Sequence, residues 1–261
     1  FFMFYGGMAV DKNNSKTKEE KKVSVSLREN EAYIRKRCEN CGDIVIRPMR
    51  LGKERKADCL MVYLEVATAN MMLEDSALGK MINHFWEIPP EQIREFVKNN
   101  SLGIASAGKL STMQEVFAAL LAGNAVFFLD GFDQAMKISS SGYPGMGVSE
   151  TETEKVLRGS KEGFSDSVKI NSALVRKRLR DTRMKVEEHY MGVRSNTLIH
   201  MLFMEDLVRE ELLDEIRERM EAFQVDGILD SGMLEQLTED SWNSPFPQYQ
   251  TTERPHRAAQ E

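Results

Sequence analysis

The chain has 261 residues, of which 41% are hydrophobic and 29% charged, an ordinary composition for a folded protein large enough to bury a core. Its formal net charge of -6 gives no electrostatic reason to expect nucleic acid as a partner. No run of about 18 uninterrupted apolar residues occurs, so no membrane-spanning helix is predicted. The odd count of three cysteines argues against a disulfide framework and favours a reducing compartment.

Residues 1–22 are expected to form a disordered leader. The first five residues are apolar, but they lack the basic start and the small-residue cleavage site of a signal peptide. The stretch from Asp11 to Lys22 is polar and rich in lysine and glutamate. Such a composition buries too little apolar surface to fold by itself.

A helix and two strands are predicted next. One helix face is marked by positions that recur at spacings of three and four residues: Leu27, Asn30, Ile34 and Cys38. Two β-leaning runs follow at Asp43–Met49 and Cys59–Leu64, with lengths typical of strands.

The first half continues with a second helix and a hairpin. The helix is predicted from Ser111 to Ala122, with Ser111 as its N-cap and Gly123 ending it. The strand Ala125–Leu129 follows, and a returning strand ends at Ile138. The Asp-Gly pair between these apolar runs predicts a tight hairpin turn.

The chain is expected to divide near its middle. Residues 139–145 combine serine, glycine and proline, and an acidic stretch follows as far as Glu154. This composition breaks helix and strand alike. We therefore predict a first α/β subdomain at residues 23–139, a linker at 140–154 and a second α/β subdomain at 155–261, which lacks a counterpart of the first half's second helix and hairpin before the sequence stops.

The two halves repeat each other in sequence. Residues 26–38 align with residues 167–179 at an offset of 141 residues, with six of thirteen positions identical. After one deletion the alignment resumes at an offset of 140, which argues for duplication. The second copy has its own helix stripe and strands: Val168, Asn171, Val175, Leu179, Met184–Met191 and Leu198–Met204. A further helix stripe runs from Val208 to Phe223. Helices alternating with short strands predict an α/β fold, with helices packed on mixed sheets in two related subdomains.

No catalytic or metal site is predicted. Cys38 and Cys41 have C-x-x-C spacing, but no second Cys/His pair completes the four ligands that zinc needs, so a structural role is favoured. The four histidines form no metal-binding pattern, and no G-x-S-x-G elbow marks a nucleophile. A Ser-His-Asp triad assembled only in space stays open. No cofactor and no enzyme activity are expected.

The loop before the second-half helix is a candidate anion site. Arg158, Gly159, Ser160 and Glu162 lead into that helix, and free N–H groups at a helix start attract anions. The favoured interpretation is that Gly159 or Ser160 caps the helix while Glu162 complements its dipole. Docking of a carboxylate or phosphate is the alternative.

Two asparagines occupy matching positions on the apolar stripes of the two copies. Asn30 and Asn171 would be buried there, and a buried amide needs hydrogen-bond partners. We expect each to brace an adjacent loop backbone, with ligand contact as the alternative.

An ordered series of motifs in residues 150–255 resembles the A-subunit family of spore-germinant receptors. The series comprises Glu152–Gly159, Glu162–Phe164, Asn171–Leu174, Arg176–Arg178, Gly192, Ser195, Thr197, Asp230–Gly232, Ser244–Gln248 and Thr252–Pro255. The first half is more divergent but similar in layout. His256 stands where the family pattern has Asp, and the turn Gly142–Gly145 also resembles the stage V sporulation paralogue, so that branch stays open.

The resemblance implies a nutrient receptor subunit of the spore inner membrane. In this family a soluble amino-terminal region facing the spore core, on the cytoplasmic side, precedes several transmembrane helices. The A subunit works with B and C subunits, is thought to oligomerise, and forms or gates an ion pathway when amino acids or sugars are sensed.

The predicted function is therefore subunit interaction and signal transmission to a membrane ion pathway during spore germination. Binding of an amino acid or sugar in the cleft between the lobes is the alternative, because clefts between domains are common ligand sites. Arginine–carboxylate pairs suit subunit contacts because their hydrogen bonds are charge-assisted and directional. The expected binding or interface residues are Arg158, Gly159, Glu162, Asn171, Arg176, Arg178, Glu253 and Arg254.

Overall fold

The computed structural model describes residues 21–52, 57–68, 85, 88–89, 91–93, 95, 108–139, 143, 154, 158–239 and 248–260. These residues form two compact units. The first unit holds the described residues up to Tyr143 together with Arg180–Thr182, and the second holds Glu154, the residues up to Leu179 and those from Arg183 onward. Among the described residues, no helix is long and apolar enough to cross a membrane.

The first unit is a five-stranded antiparallel sheet with helices. Its elements are α1 (Leu27–Arg37), β1 (Ile44–Leu51), β2 (Ala57–Leu64), α2 (Glu65–Thr68), β3 (Gly108–Leu110), α3 (Met113–Leu121), β4 (Ala125–Leu129) and β5 (Ala135–Ile138). The strand order is β1-β2-β4-β5-β3. Every pairing is antiparallel. Strand β2 therefore lies inside the sheet, between β1 and β4.

The core of the first unit covers both faces of this sheet. Leu60 and Val62 of β2 pack in one cluster with Ile34 of α1 and with residues of α3. The alternate residues Cys59 and Met61 pack in a second cluster on the other face. Because successive side chains of a strand point to opposite faces, a strand buried on both sides is apolar along its length, as β4 is and as β2 is from Cys59 to Leu64.

Two local boundaries in the first unit differ from the sequence prediction. The N-cap of α3 is Thr112 rather than Ser111, because the Thr112 hydroxyl accepts from the N–H of Glu115 while the Glu115 carboxylate accepts from the N–H of Thr112. The Asp-Gly pair does not make a two-residue turn, since the strands separate over a longer loop between Leu129 and Ala135. Asp130 instead accepts a hydrogen bond from the N–H of Leu27 at 3.0 Å.

The second unit pairs helices with an antiparallel hairpin. Its elements are α4 (Val168–Arg178), β6 (Met184–Met191), β7 (Thr197–Met204), α5 (Glu210–Ala222), α6 (Ser231–Thr238) and α7 (Pro255–Ala258). Val175, Met184, Val186 and Ala258 form one apolar cluster, and Met191, Met220 and Ile228 form another. Helix α5 is tied to β6 by the bidentate pair Arg217–Glu187, with a closest distance of 2.8 Å between nitrogen and oxygen.

The helix–hairpin segments of the two units share their local geometry. Helices α1 and α4 each have 11 residues, and each register pair of β6 with β7 lies 140 residues after its counterpart in β1 and β2. Both hairpins turn through a glycine of positive φ, Gly52 at 90° and Gly192 at 87°, a conformation that L side chains rarely adopt. The sequence repeat is thus matched by repeated backbone geometry.

The α/β fold class is confirmed, whereas the strands pair antiparallel throughout and not in the mixed sheets that were expected. Most of the predicted leader and linker lies outside the described residues, and the subdomain boundaries stay a prediction. Lys21 and Lys22 depart from the leader prediction: Lys22 bridges to Thr112, and the Lys21 carbonyl accepts from the N–H of Met113 at 2.8 Å. Tyr143, within the predicted linker, donates its hydroxyl to the Leu121 carbonyl at 2.5 Å.

Candidate interaction site

The last turn of α4 carries a basic run, and two of its cations pair with one carboxylate. Glu162 accepts from Lys177 at 3.1 Å and from Arg178 at 2.5 Å. Partial burial opposes ionisation of Glu162, but the hydrogen bonds from Arg178 and Lys177 outweigh it and hold the pKa of this carboxyl below its ordinary range. The cations also lie at the carboxyl end of the helix, where the helix dipole favours positive charge.

A second carboxylate, Glu154, organises the chain just before α7. Its side chain accepts from the Thr252 hydroxyl at 2.8 Å, from the Glu253 N–H at 3.1 Å and from Arg257 at 2.6 Å. The Arg254 guanidinium donates to the Glu154 backbone carbonyl. Burial opposes ionisation of Glu154, but these hydrogen bonds prevail and lower its pKa.

The pKa of His256 is influenced both by Arg178, at the end of α4, and by the charged residues around Glu154. Its pKa is lowered first by burial and then by the positive charges of Arg254, Arg178 and Arg257, with Glu154 acting in the opposite direction. We name Arg178, Arg254, Arg257 and Lys177, together with Glu154 and Glu162, the arginine cluster. Three guanidinium groups, from both groups of charges, thus oppose protonation of His256.

The arginine cluster has a buried base and an exposed rim. The Arg254 side chain is 4% exposed, whereas Arg257 is 52% exposed and Lys177 34%. Arginine presents a planar fork of donors that matches a carboxylate or phosphate. The rim can therefore accept an anionic group while the base holds the local backbone in place.

The predicted residues fall into three structural classes. Glu162, Arg178 and Arg254 lie in the arginine cluster, and Glu253 joins it through its backbone, since its N–H donates to the Glu154 carboxylate at 3.1 Å. Arg158 and Gly159 are exposed, and Arg158 makes no hydrogen bond or ion pair with any described residue. Gly159 adopts a φ of 123°, which favours glycine.

Arg176 and Asn171 are inside the second unit and not on a rim. Arg176 is fully buried, and its guanidinium donates to the Met184 carbonyl at 2.8 Å. The Asn171 amide accepts from the Ser165 N–H at 2.8 Å and donates to the Ser165 carbonyl at 2.7 Å. Asn30 makes the same two bonds with Ser24, at 2.9 and 2.7 Å. The expected bracing of loop backbone is confirmed in both copies.

The expected helix cap in the 158–162 loop is wrong. Helix α4 begins at Val168 with Ser167 as its N-cap, and the Ser167 hydroxyl accepts from the N–H of Ile170 at 3.5 Å. Glu162 does not complement the start of the helix, because it pairs with cations of the last turn. The cap is therefore Ser167 and not Gly159 or Ser160.

Sequence reasoning missed Glu154, Arg257 and Lys177 as members of the cluster. Glu154 and Arg257 are 103 residues apart, so no local spacing could connect them. The motif Thr252–Pro255 gave a partial signal, since three of its members contact Glu154.

A buried serine and histidine are also brought together. The Ser172 hydroxyl lies 2.6 Å from His200 Nδ1, and His200 Nε2 lies 3.5 Å from the Glu188 carboxylate. Ser172 is only 1% exposed and its hydroxyl also reaches the Val168 carbonyl at 3.0 Å. A nucleophile must reach its substrate, and this serine is enclosed between a helix and the hairpin.

The cysteines are buried in apolar surroundings. Cys38 and Cys41 belong to the helix-side cluster of the first unit and Cys59 to the cluster on the other face. Burial raises the pKa of the Cys59 thiol to about 12, assisted by the charge of Asp58. Among the described residues, no three histidine, cysteine or acidic side chains come together as a metal site.

Comparison with known proteins gives consistent matches. A profile described as "Bacillus/Clostridium GerA spore germination protein" matches residues 32–261. An uncharacterized membrane protein of Bacillus subtilis, YfkQ, is 31% identical over 92% of this chain and 46% of its own length. Spore germination protein KA of the same species is 29% identical over 89% of this chain and 43% of its own length.

Two further matches concern the paralogous branch and the fold. Stage V sporulation protein AF of Bacillus subtilis is 33% identical over 65% of this chain and 34% of its own length. The crystal structure of the N-terminal domain of the A subunit of the Bacillus megaterium spore germinant receptor GerK3 superposes with a TM-score of 0.66 at 22% identity, covering 93% of this chain and 89% of that one. At that identity the likeness shows the fold. The chain spans about half the length of YfkQ and of spore germination protein KA.

Proposed function

Because the chain belongs to the Bacillus/Clostridium GerA spore germination protein family, we propose that it is the amino-terminal module of a germinant receptor A subunit. In this role it contacts other subunits and transmits the sensing of a nutrient to an ion pathway in the membrane. The full-length protein would then reside in the spore inner membrane, with this module on the side of the spore core.

The arginine cluster is the observation that supports an interaction role. Its buried base joins Glu154 to a segment about 100 residues further along the chain. A contact at the exposed rim would therefore act on two distant parts of the chain at once. Charge-assisted bonds of this kind are directional, so they suit a contact that must be made in one orientation.

The proposed partners are the B and C subunits of the receptor and further copies of the A subunit. A rim of arginine and lysine side chains favours an acidic surface on the partner, because complementary charge speeds and orients association.

We propose no catalytic role for this module. The one described grouping of serine, histidine and carboxylate is Ser172, His200 and Glu188, and its serine is buried inside the second unit. The Ser172–His200 contact instead satisfies two polar groups that the fold encloses, as buried polar groups require.

Arg158→Ala in the full-length protein tests subunit contact at the exposed loop before α4, which lies outside the arginine cluster. We expect germination to slow about fivefold, the change that corresponds to losing about 1 kcal/mol from a charge-assisted contact. The unfolding midpoint of the isolated chain should stay unchanged, because substitutions of exposed residues rarely alter stability by more than about 0.5 kcal/mol. Germination is followed as loss of optical density of a spore suspension after nutrient addition.

Arg194→Ala is the matched control, since Arg194 is an exposed arginine of the same unit that lies 3.5 Å from an exposed aspartate. It should germinate normally. Germination at the normal rate in Arg158→Ala would contradict a role for Arg158 in subunit contact. A rise in melting temperature of the isolated chain with an amino acid or sugar, by mass action, would instead support the proposal that this module holds the nutrient itself.

A further inference from the structure

Strand β7 has the same position in its helix–hairpin segment as β2 has in the first unit. In the first unit β2 pairs with β1 on one edge and with β4 on the other, where Leu60 opposes Phe128 and Val62 opposes Val126. In the second unit β7 pairs with β6, and among the described residues this sheet has two strands. The outer edge of β7, on the side away from β6, corresponds to the edge of β2 that takes up β4.

The segment before α7 has the same backbone contact as the segment before α3. The N–H of Val23 donates to the Ser111 carbonyl at 2.9 Å, and the N–H of Phe164 donates to the Glu253 carbonyl at 2.8 Å. Val23 and Phe164 each lie one residue before the serine that is braced by asparagine. Helix α7 therefore begins at the place in the second unit that α3 occupies in the first.

Strands β2 and β7 differ in how far their side chains are buried, although they have the same position in their segments. In β2 the residues from Cys59 to Leu64 are all buried, whereas in β7 only His200 is buried and the other residues are partly exposed. The side chains of β7 are nevertheless as apolar as those of a central strand, with Leu198, Ile199 and Met201–Met204. An apolar strand that leaves its side chains partly exposed is suited to pairing with another strand.

The loop between β4 and β5 adds a second contact that the first unit makes. Asp130 accepts from the N–H of Leu27 at 3.0 Å, and the N–H of Gly131 donates to the Val25 carbonyl at 3.0 Å. These bonds hold the start of α1. The counterpart of Leu27 in the second unit is Val168, the first residue of α4, so a hairpin beside β7 would also present a loop to the start of α4.

We propose that the outer edge of β7 pairs, in the whole protein, with a β-hairpin carried by the same polypeptide after residue 261. The hairpin would oppose Ile199–Leu202 as β4 opposes Cys59–Val62, and its loop would offer an acceptor to the N–H of Val168. Antiparallel backbone bonds would supply affinity, and apolar residues alternating along the strand would cover both faces.

The order of elements within the first unit identifies this occupant. There β4 begins at Ala125, four residues after α3 ends at Leu121, so the equivalent strand would follow α7 directly. Relatives of about twice the length of this chain have polypeptide that could supply it. Short loops between sequential elements are also the commonest way for a strand to reach its neighbour.

A graft tests the proposal with the protein's own hairpin. With Glu253 as the counterpart of Ser111, Glu261 is the sequence counterpart of Ala119, so residues Leu120–Ile138 are appended again directly after Glu261. We expect the amides of Thr197–Met204 to exchange with deuterium at least about tenfold more slowly than in the ungrafted chain. The amides of Ala57–Leu64 should keep their rates and serve as the internal reference.

A matched control graft carries the substitutions Val126→Pro and Phe128→Pro, since proline removes the N–H donors that a paired strand needs. This control graft should leave the amide exchange rates of β7 the same as in the ungrafted chain. Equal protection by both grafts, or none by the first, would overturn the proposal. So would self-association of the ungrafted chain that already protects these amides, because β7 would then be the edge for a second copy.

Discussion

The two helix–hairpin segments share a backbone framework and differ in what they enclose. In each, an asparagine braces the chain six residues upstream, and a glycine of positive φ turns a hairpin of the same register. Helix α1 buries one stripe, Leu27, Asn30 and Ile34, whereas α4 buries every residue from Asn171 to Arg176. The first encloses apolar groups, and the second also encloses a serine, a histidine and an arginine.

This difference teaches which part of a repeated unit is free to change. The framework depends on backbone bonds and on one amide side chain, and both copies retain them. The interior can become polar only where each enclosed group finds a partner, because an unsatisfied buried polar group costs about 1–3 kcal/mol. The Ser172 hydroxyl and the Nδ1 of His200 meet that condition together, and Arg176 meets it through the Met184 carbonyl.

Truncating the aligned arginines should give the largest contrast between the units. Arg176→Ala removes a fully buried side chain and leaves the Met184 carbonyl without this donor, so we expect a loss of about 3 kcal/mol in the free energy of unfolding. Arg35→Ala removes an exposed ion pair with Glu31 and should lose less than about 0.5 kcal/mol. Urea titration with hydrogen exchange as the readout measures each unit separately.

The ratio between these two losses is the decisive quantity. If Arg35→Ala destabilised its unit as much as Arg176→Ala does, the aligned positions would be energetically equivalent. The contrast between an apolar and a polar interior would then not describe the two units.

Removing the asparagine braces should affect the two units alike. Asn30→Ala and Asn171→Ala each delete two hydrogen bonds to a serine backbone at a buried site. We expect each unit to lose about 2 kcal/mol, measured by the same titration. Ser24→Ala and Ser165→Ala are the controls, because they keep both bonds between the asparagine amide and the serine backbone and remove only the bonds of the hydroxyl, which in the second unit include a 3.3 Å contact with Asn171. A loss at one asparagine alone would show that the framework is not shared.

Acidification should change stability least, and it should destabilise the second unit at a higher pH than the first. Burial and neighbouring arginines lower the pKa of His256 from its ordinary value of 6.5. Below pH 6.5 the unfolded chain therefore binds the proton more readily, and stability falls as the pH drops toward the folded pKa. The pKa values of Glu154 and Glu162 are also lowered from 4.5, so their contribution is present above that pH and is lost below it.

The first unit provides the comparison within the same molecule. There the N–H groups of Ser111 and Thr112 lower the pKa of Glu115 from 4.5, so the loss should begin only below that pH. Hydrogen exchange measured between pH 7 and pH 5 should show that the free energy of unfolding falls in the second unit alone. His256→Asn should remove this decline. A decline that persists in His256→Asn would assign the effect to another group.

Much of the local structure could be predicted from particular residues. The stripes at Leu27, Asn30 and Ile34 and at Val168, Asn171 and Val175 located both first helices of the repeat, since helical periodicity depends only on spacing. The bracing role of Asn30 and Asn171 followed from the same stripes, because an amide on an apolar face must find backbone partners. The N-cap at Ser167 was missed because several polar residues before α4 compete for that position.

The candidate site was only partly predictable. Arg178 and Glu162 were expected to matter, but the fold decides that they pair with each other. The burial of Arg176 was not foreseeable from its place in a basic run, where Lys177 and Arg178 remain partly exposed. Helix α7 and strand β7 both pack against α4, and these contacts come from chain far from residue 176.

The sequence by itself determined the family, the repeat, the positions of most helices and strands, and the amide braces. These features depend on spacing and on hydrogen-bond needs within a short segment. Only the tertiary structure decided that the strands pair antiparallel, that Glu154 holds the segment before α7, and that the second copy encloses polar groups. Such features depend on which distant residues become neighbours, and the free energy of those contacts is set by burial and geometry that no local pattern encodes.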